Sequence, residues 1–281
     1  MTLICILLGL GLEYYSGDLG YYRKYYWFDR YCDWLETNFT NHSFWNGAPG
    51  VSLTLFLPLF GLFILGYLMT QLPALFLFIF VVGIFIYGLG PSVNNILNTY
   101  LEAMEQGDES LIRKIENELI EDEDQNQENI YCAILIRAHD YLFGALFWFI
   151  ALGILGIFLF CLVNRLKTRY SDIHGDYAEA VRNLYMILIW PSSRLLALGF
   201  ALGGSLVDAL EGWRSVEGIS LDKSRMIIIN SGLGAIQHRH FQNEDADQHI
   251  ETIQQLQALI NRSLIVWLTI LGVMTIGGWL S

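Results

Sequence analysis

The sequence predicts an all-α protein that crosses a membrane several times. Of its 281 residues, 54% are hydrophobic and only 16% are charged, whereas a soluble domain carries about 25% charged residues. The apolar residues also occur in long blocks without Asp, Glu, Lys or Arg, close to the ~20 helical residues that cross the hydrocarbon layer. Backbone in hydrocarbon must satisfy its own hydrogen bonds. We therefore predict one polytopic helical membrane domain over residues 1–281.

The first two predicted crossings are residues 51–70 and 72–90. Both are free of charged residues, and only Gln71 separates them, so they should form a helical hairpin with its turn at one membrane surface. Pro58 should kink the first helix because it removes a backbone hydrogen bond. Pro73 is compatible with the first turn of the second helix.

Two more crossings are predicted at residues 141–163 and 264–280. The first follows Asp140 and precedes a basic cluster, which consists of Arg165, Lys167 and Arg169. The second carries Trp267 and Trp279 near its ends, where tryptophan commonly lies at the membrane interface. These two segments bring the number of firmly predicted transmembrane helices to four.

Two further apolar segments do not fit a simple crossing. Residues 1–15 are too short to span and lack the basic flank and cleavage site of a signal peptide, so we predict an N-terminal membrane-embedded helix. Residues 184–207 are long enough, but Pro191 and Arg194 interrupt them. An arginine in hydrocarbon is costly unless it faces a polar partner or cavity, which predicts a broken or re-entrant helix.

The remaining segments are polar. Residues 17–46 mix Tyr and Trp with basic residues, a composition typical of an interfacial segment. Residues 94–129 are predicted as a polar helical loop and residues 220–261 as an amphipathic helical segment. The basic residues of 17–46 and the Arg165 cluster would both be cytoplasmic by the positive-inside rule, but three predicted crossings between them imply opposite faces. We place residues 17–46 and 94–129 in the cytoplasm.

Composition and motifs exclude several function classes. The formal net charge of −12 argues against a nucleic-acid partner, because phosphate contacts require a surplus of Lys and Arg. The sequence contains no Walker loop, HExxH or GxSxG motif, and its four cysteines lack zinc-like spacing. For His238, His240 and His249 we favour solvated side chains over a metal site. We therefore predict no metal and no cofactor.

Polar residues at the predicted membrane edges are the candidate ligand-binding groups. Glu13 ends the N-terminal apolar helix, His139 and Asp140 precede the third crossing, and Arg194 lies inside residues 184–207. Carboxylates and an arginine in low dielectric would stabilise one another as a salt bridge, or would bind a phosphate or carboxylate ligand. We favour the structural salt bridge and keep the ligand site, with these residues as its candidate groups, as the alternative.

Small residues mark candidate helix-packing faces. Gly199 and Gly203 form a GxxxG spacing, and Gly153 with Gly156 forms a second small face in the third crossing. Glycines at such intervals let helix backbones approach closely in lipid. We predict internal packing at these positions and keep a homo-oligomer interface as the alternative.

Three segments of the sequence resemble the AmpE family of bacterial inner-membrane proteins, which is related to the cobalamin-biosynthesis enzymes CbiB and CobD. They are the N-terminal helix that ends in Glu13, the run GALFWFIALGILG at 144–156 followed by NRLKTRY, and IWPSSRLLALGFALGG at 189–204. The resemblance extends in order from Met1 to about Gly234.

The resemblance implies an inner-membrane accessory protein in β-lactamase regulation and peptidoglycan-recycling signalling, with membrane lipids and a small phosphorylated or cell-wall-derived ligand as partners. The alternative is a CbiB-like ligase, related to adenosylcobinamide-phosphate synthase, that uses a nucleotide and places Glu13, Asp18, Asp140 and Arg194 around a phosphorylated substrate. Gly144 and Ala145 replace the Ala-Pro pair of those enzymes, so we expect no enzymatic activity. A transporter gated by residues 184–207 is a further alternative.

Overall fold

The computed structural model describes residues 2–16, 25–40, 42, 45–120, 130–171, 173–216, 218, 220–238 and 246–278. All regular secondary structure in this part of the chain is helical, which confirms the all-α prediction. Within it, four helices are long and apolar enough to cross a membrane, namely Ala48–Thr70, Ile130–Arg169, Asp176–Gly203 and Asp247–Ile276. The protein is therefore a multi-pass helical membrane protein.

The residues group into two compact units, which we describe separately. Unit 1 comprises Met1–Gly90 and Ala145–Leu188, and unit 2 comprises Pro91–Gly144 and Ile189–Ser281. The helices of the chain, in order, are α1 (Thr2–Ser16), α2 (Tyr26–Phe39), α3 (Ala48–Thr70), α4 (Ala74–Gly88), α5 (Val93–Gln106), α6 (Glu109–Leu119), α7 (Ile130–Ala138), α8 (Gly144–Arg169), α9 (Asp176–Gly203), α10 (Leu206–Arg214), α11 (Ser224–Ala235) and α12 (Ala246–Ile276).

Unit 1 is built on close contacts between apolar helices. In α1, a Cβ atom at Gly9 would collide with the Phe85 ring of α4, and a Cβ atom at Gly88 would lie 2.5 Å from Ile157 of α8. Phe85 is fully buried and its ring centroid lies 4.7 Å from that of Phe149. The short N-terminal helix therefore packs on the second helix of the hairpin.

The helix break lies at Pro91 rather than at Pro191. Helix α4 ends at Gly88, Leu89 is extended at φ −69° and ψ 142°, and α5 starts after Ser92, with a 41° bend between the two helices. The residue before a proline disfavours helical backbone, and Ser92 caps the new helix by accepting from the Asn95 amide. The predicted second crossing at 72–90 is thus one arm of a bent pair.

The prediction of a broken or re-entrant helix at residues 184–207 was wrong. Helix α9 runs without interruption from Asp176 to Gly203 with Pro191 inside it. Proline is tolerated in transmembrane helices because neighbouring side chains and local adjustments satisfy the backbone groups that it leaves free. The irregularities of the longest span lie elsewhere, in a π-helical turn at His139–Phe143 and a kink at Gly153, whose φ of 64° suits glycine.

Acidic side chains of α2 hold this helix on the basic end of α8. Arg165 donates from Nε and Nη2 to the two carboxylate oxygens of Asp29 at 3.1 and 2.7 Å. Arg169 lies 2.6 Å from an oxygen of Asp33 and 3.2 Å from one of Glu36. Helix α2 therefore lies beside the basic end of α8. This contact does not fit the opposite faces that three predicted crossings between the two segments would imply.

Candidate functional site

A buried pair of side chains occupies the π-helical turn that follows α7. His139 is fully buried and Asp140 is 4% exposed. The Nδ1 atom of His139 lies 2.9 Å from Oδ1 of Asp140. Turns of this type are rare and occur frequently at functional sites. The two residues were predicted as neighbours of the membrane edge, and the structure brings their side chains into direct contact inside unit 2.

The same histidine joins this turn to α9. Its Nε2 atom lies 2.8 Å from Oγ of Ser192, which is fully buried and lies 3.2 Å from the carbonyl oxygen of Ile189. Both ring nitrogens of His139 are therefore hydrogen bonded. The order Asp–His–Ser matches that of an activated serine nucleophile, but all three side chains are inaccessible. In this conformation the cluster links two helices.

Arg194 follows Ser193 on α9 and makes a set of hydrogen bonds separate from those of His139. Its Nη1 atom donates to the carbonyl oxygen of Trp190 at 2.7 Å, to Oγ of Ser193 at 3.1 Å and to Oγ of Ser224 at 2.9 Å. The guanidinium carbon lies 4.5 Å from the centroid of the Trp190 ring, within the range of a cation–π interaction. These contacts fix the arginine between α9 and α11.

The acceptors of Arg194 are all neutral. Among the described side chains, no carboxylate lies within salt-bridge distance of its guanidinium, and its Nη2 atom is buried without a hydrogen-bond partner. A cation in a low-dielectric region is costly unless an opposite charge offsets it. The predicted structural salt bridge between Arg194 and a carboxylate is therefore not realised within the described part of the chain.

The predicted ligand-binding residues do not all lie in the same unit. Glu13 is half-buried at the end of α1 and belongs to unit 1, whereas His139, Asp140 and Arg194 belong to unit 2. Asp18 lies outside the described residues. The ligand-binding role of all five residues stays a prediction.

The serines that organise this region were not among the predicted site residues. Ser192, Ser193 and Ser224 are each fully buried. A signal existed in the run WPSSR, because hydroxyl groups inside an apolar helix need hydrogen-bond partners. The contribution of Ser224 from α11, thirty positions away along the chain, had no such signal.

The structure separates the two predicted glycine faces. A Cβ atom at Gly199 would lie 2.8 Å from Nε1 of Trp267, and one at Gly203 would lie 3.0 Å from Oγ of Ser263, so both glycines lie against α12. Gly153 has open space around its Cβ position, and a Cβ atom at Gly156 would collide with the Trp148 carbonyl of its own helix. In the described residues, this second face forms a kink instead of the predicted helix–helix contact.

His249 is more enclosed than the predicted solvated histidine. Its Nδ1 atom lies 2.5 Å from the hydroxyl of Tyr131, and its Nε2 atom lies 3.3 Å from the hydroxyl of Tyr100, which donates to Glu116 at 2.8 Å. His240 lies outside the described residues. The described side chains contain no group of three His, Cys, Asp or Glu residues that would hold a metal ion.

A comparison with protein families decides the identity of the chain. All of residues 1–281 match the family model described as regulatory signalling modulator protein AmpE. The chain belongs to the AmpE family. Comparison with curated proteins and with solved structures gives no significant match. In this AmpE-family protein, the polar side chains of unit 2 around His139 and Arg194 form the candidate functional site.

Proposed function

We propose that this AmpE-family protein is a multi-pass protein of the bacterial inner membrane that modulates signalling between peptidoglycan recycling and β-lactamase production. The observation that carries the proposal is the family match, which covers the whole chain and describes a regulatory signalling modulator. The signal would be a small phosphorylated or cell-wall-derived compound, or a lipid, that binds at the candidate site.

The polar side chains of unit 2 support a role in ligand sensing. Ionisable groups inside apolar helices are expensive and are retained mainly where they serve a function. Here His139 bonds to α9 from a π-helical turn, and Arg194 joins α9 to α11. A ligand that binds one arrangement of these helices more tightly than another would shift their equilibrium, which is the physical basis of a signal.

Deletion of the gene in its own bacterium tests the proposal. We expect the level of β-lactamase activity after addition of a β-lactam to change several-fold relative to the parent strain, and to return when the wild-type gene is restored. Restoration with Arg194→Gln should fail, whereas Arg262→Gln should succeed, because Arg262 is exposed and donates to a carbonyl of its own helix. The uninduced β-lactamase activity and the pool of recycled cell-wall fragments would be measured in the same strains. If none of these quantities differs between the deletion strain and its parent, the proposal is rejected.

A further inference from the structure

We propose that Arg194 and Ser224 form a binding site for a phosphate-class oxyanion. The inference deepens the proposed function, on which it rests for the biological role of the ligand. Its support is four observations about the Arg194 guanidinium group. Within the described residues one edge has no acceptor and no carboxylate is close enough to offset the charge; the contacts of Nη1 fix the group, and a hydroxyl lies beside it.

The edge of Arg194 without an acceptor is formed by Nε and Nη2. Another arginine of this protein, Arg165, uses the same edge to bind a carboxylate. Arg165 holds Asp29 with Nε and Nη2, at 3.1 and 2.7 Å. This is the bidentate geometry that arginine adopts with carboxylates and phosphates. In Arg194 the corresponding edge has no hydrogen-bond partner among the described residues, and Nη2 is buried. Arg194 therefore presents a free, oxyanion-binding fork.

The orientation of that fork is fixed before any ligand arrives. Three neutral acceptors surround Nη1, contributed by Trp190, Ser193 and Ser224, and the Trp190 ring lies under the guanidinium plane. Ordering a flexible arginine side chain costs rotamer entropy, and here folding rather than ligand binding meets that cost. A bound anion would thus meet a rigid donor pair, which is the condition for tight binding by few contacts.

Charge also favours an anion at this position. Neutral acceptors satisfy the hydrogen bonds of Nη1 but do not offset the charge of a guanidinium inside an apolar helix. An oxyanion at the Nε and Nη2 edge would supply both missing features, a negative charge and acceptors for the unbonded N–H groups. Arg194 is partly exposed as a residue, although its Nη2 atom is buried.

The hydroxyl of Ser224 favours phosphate over carboxylate. Its Oγ atom accepts from Nη1 of Arg194 at 2.9 Å, and the described residues offer its proton no acceptor. The guanidinium therefore carries two unbonded donors at its Nε and Nη2 edge, and the O–H beside its Nη1 atom is a third donor on the same group. A phosphate group has at least three oxygens that accept, whereas a carboxylate has two. The ligand would be a phosphate ester of a soluble compound or the phosphate of a lipid headgroup.

Binding measurements on the purified full-length protein test the site. The protein would be held in a maltoside detergent without phosphate, and its thermal unfolding would be followed as inorganic phosphate replaces chloride at constant ionic strength. In a second arm, micelles would contain phosphatidic acid or an uncharged diacylglycerol of the same chains. We expect saturable stabilisation by inorganic phosphate, by phosphatidic acid, or by both.

The variants separate a site from a general effect of salt. Arg194→Gln should abolish the stabilisation, and Arg194→Lys should weaken the apparent Kd roughly tenfold or more because it loses the bidentate fork. Arg262→Gln, an exposed arginine of the same unit, should bind as the wild type does. If Arg194→Gln fails to fold, Arg194→Lys and Ser224→Ala decide, and both should shift the Kd upward.

Each outcome bears on the inference. A response to inorganic phosphate that depends on Arg194 supports a soluble phosphorylated ligand, and one confined to phosphatidic acid supports a lipid headgroup. Equal responses of the wild type, Arg194→Lys and Ser224→Ala in both arms would overturn the site. Binding that depends on Arg194, found together with unchanged β-lactamase activity and cell-wall fragments in the deletion strain, would retain the site and reject the proposed function.

Discussion

Two arginines of this protein have opposite surroundings. Arg165 lies near the end of an apolar helix, is partly exposed and forms a bidentate pair with Asp29. Arg194 lies within an apolar helix and contacts only neutral acceptors among the described residues. Arg165 thus lies at a polar edge of unit 1, where a carboxylate neutralises it, whereas Arg194 lies among buried polar groups of unit 2.

This difference separates a structural role from a functional one. A half-exposed ion pair is screened by water and contributes modestly to stability, so it serves mainly to position α2. A buried polar group must be satisfied or it costs several kcal/mol. His139 has a partner at each ring nitrogen, whereas Arg194 has a buried Nη2 atom without an acceptor among the described residues, which is the basis of the proposed oxyanion site.

The largest expected effect comes from removing the carboxylate of the buried pair. Asp140→Ala should lower the free energy of unfolding by about 3–5 kcal/mol, because the Nδ1 atom of His139 would lose its partner in a region that water does not reach. Thermal denaturation in detergent would measure the change. Asp222→Ala, at an exposed carboxylate that bonds only locally to Ser220, is the control and should have little effect. A similar loss in both variants would contradict the assigned burial.

Close backbone packing around α11 should have the next largest effect. A Cβ atom at Gly212 of α10 would collide with the carbonyl group of Asn230, and one at Gly234 would collide with that of Asp208. Gly212→Ala should therefore cost about 1–3 kcal/mol and weaken the support of Ser224. Gly272→Ala, with open space around its Cβ position, should be neutral or slightly stabilising by the same measurement. The reverse order would show that the two helices are less closely packed.

The buried side of α2 predicts a loss of stability at alkaline pH. Burial raises the pKa of the Cys32 thiol from 9.0 to about 12. Between these values the unfolded chain has released the proton that the folded chain keeps, so stability is complete below pH 9 and falls as the pH rises. The slope is at most about 1.4 kcal/mol per pH unit for this group.

Cys32→Ala provides the comparison for this slope. Its unfolding temperature should fall less than that of the wild type between pH 9 and pH 11. The remaining fall would include Tyr31, whose pKa burial raises to about 12. Parallel curves for the two proteins would show that the thiol is as accessible in the folded chain as in the unfolded one.

The smallest effect is expected at the edge of unit 1. Asp29→Ala should cost less than about 1 kcal/mol, because the Arg165 side chain is 39% exposed and water screens the pair. Hydrogen exchange should nevertheless quicken in the amides of α2. The exchanged pair Asp29→Arg with Arg165→Asp should restore the protection. A loss as large as that of Asp140→Ala would remove the distinction between the two regions.

The sequence predicted the fold class well and the positions of its irregularities poorly. Charge-free stretches identified the membrane-crossing character because hydropathy is a local property of the chain. Pro191 was predicted to break its helix, but α9 continues through it, and the α4–α5 pair bends instead at Pro91, which the prediction did not consider. Whether a proline breaks its helix depended on the residues around it. At the bend, Leu89 has an extended backbone and Ser92 caps the next helix.

The candidate site was predicted only in part. His139, Asp140 and Arg194 were evident because ionisable residues beside apolar runs are unusual. Their partners were not, because Ser192 and Ser224 become partners only through the packing of α9 against other elements. The predicted pairing of Arg194 with a carboxylate followed from charge alone, and the hydrogen bonds of the folded chain replaced it with neutral acceptors.

By itself, the sequence determined that this chain forms helices in a membrane, because a backbone in hydrocarbon must bond to itself within a few residues. Only the tertiary structure decided which polar groups meet. Asp29 and Arg165 are 136 positions apart, and Arg194 and Ser224 lie on different helices. Electrostatic and hydrogen-bond energies depend on distances through space, which the order of residues along the chain does not fix.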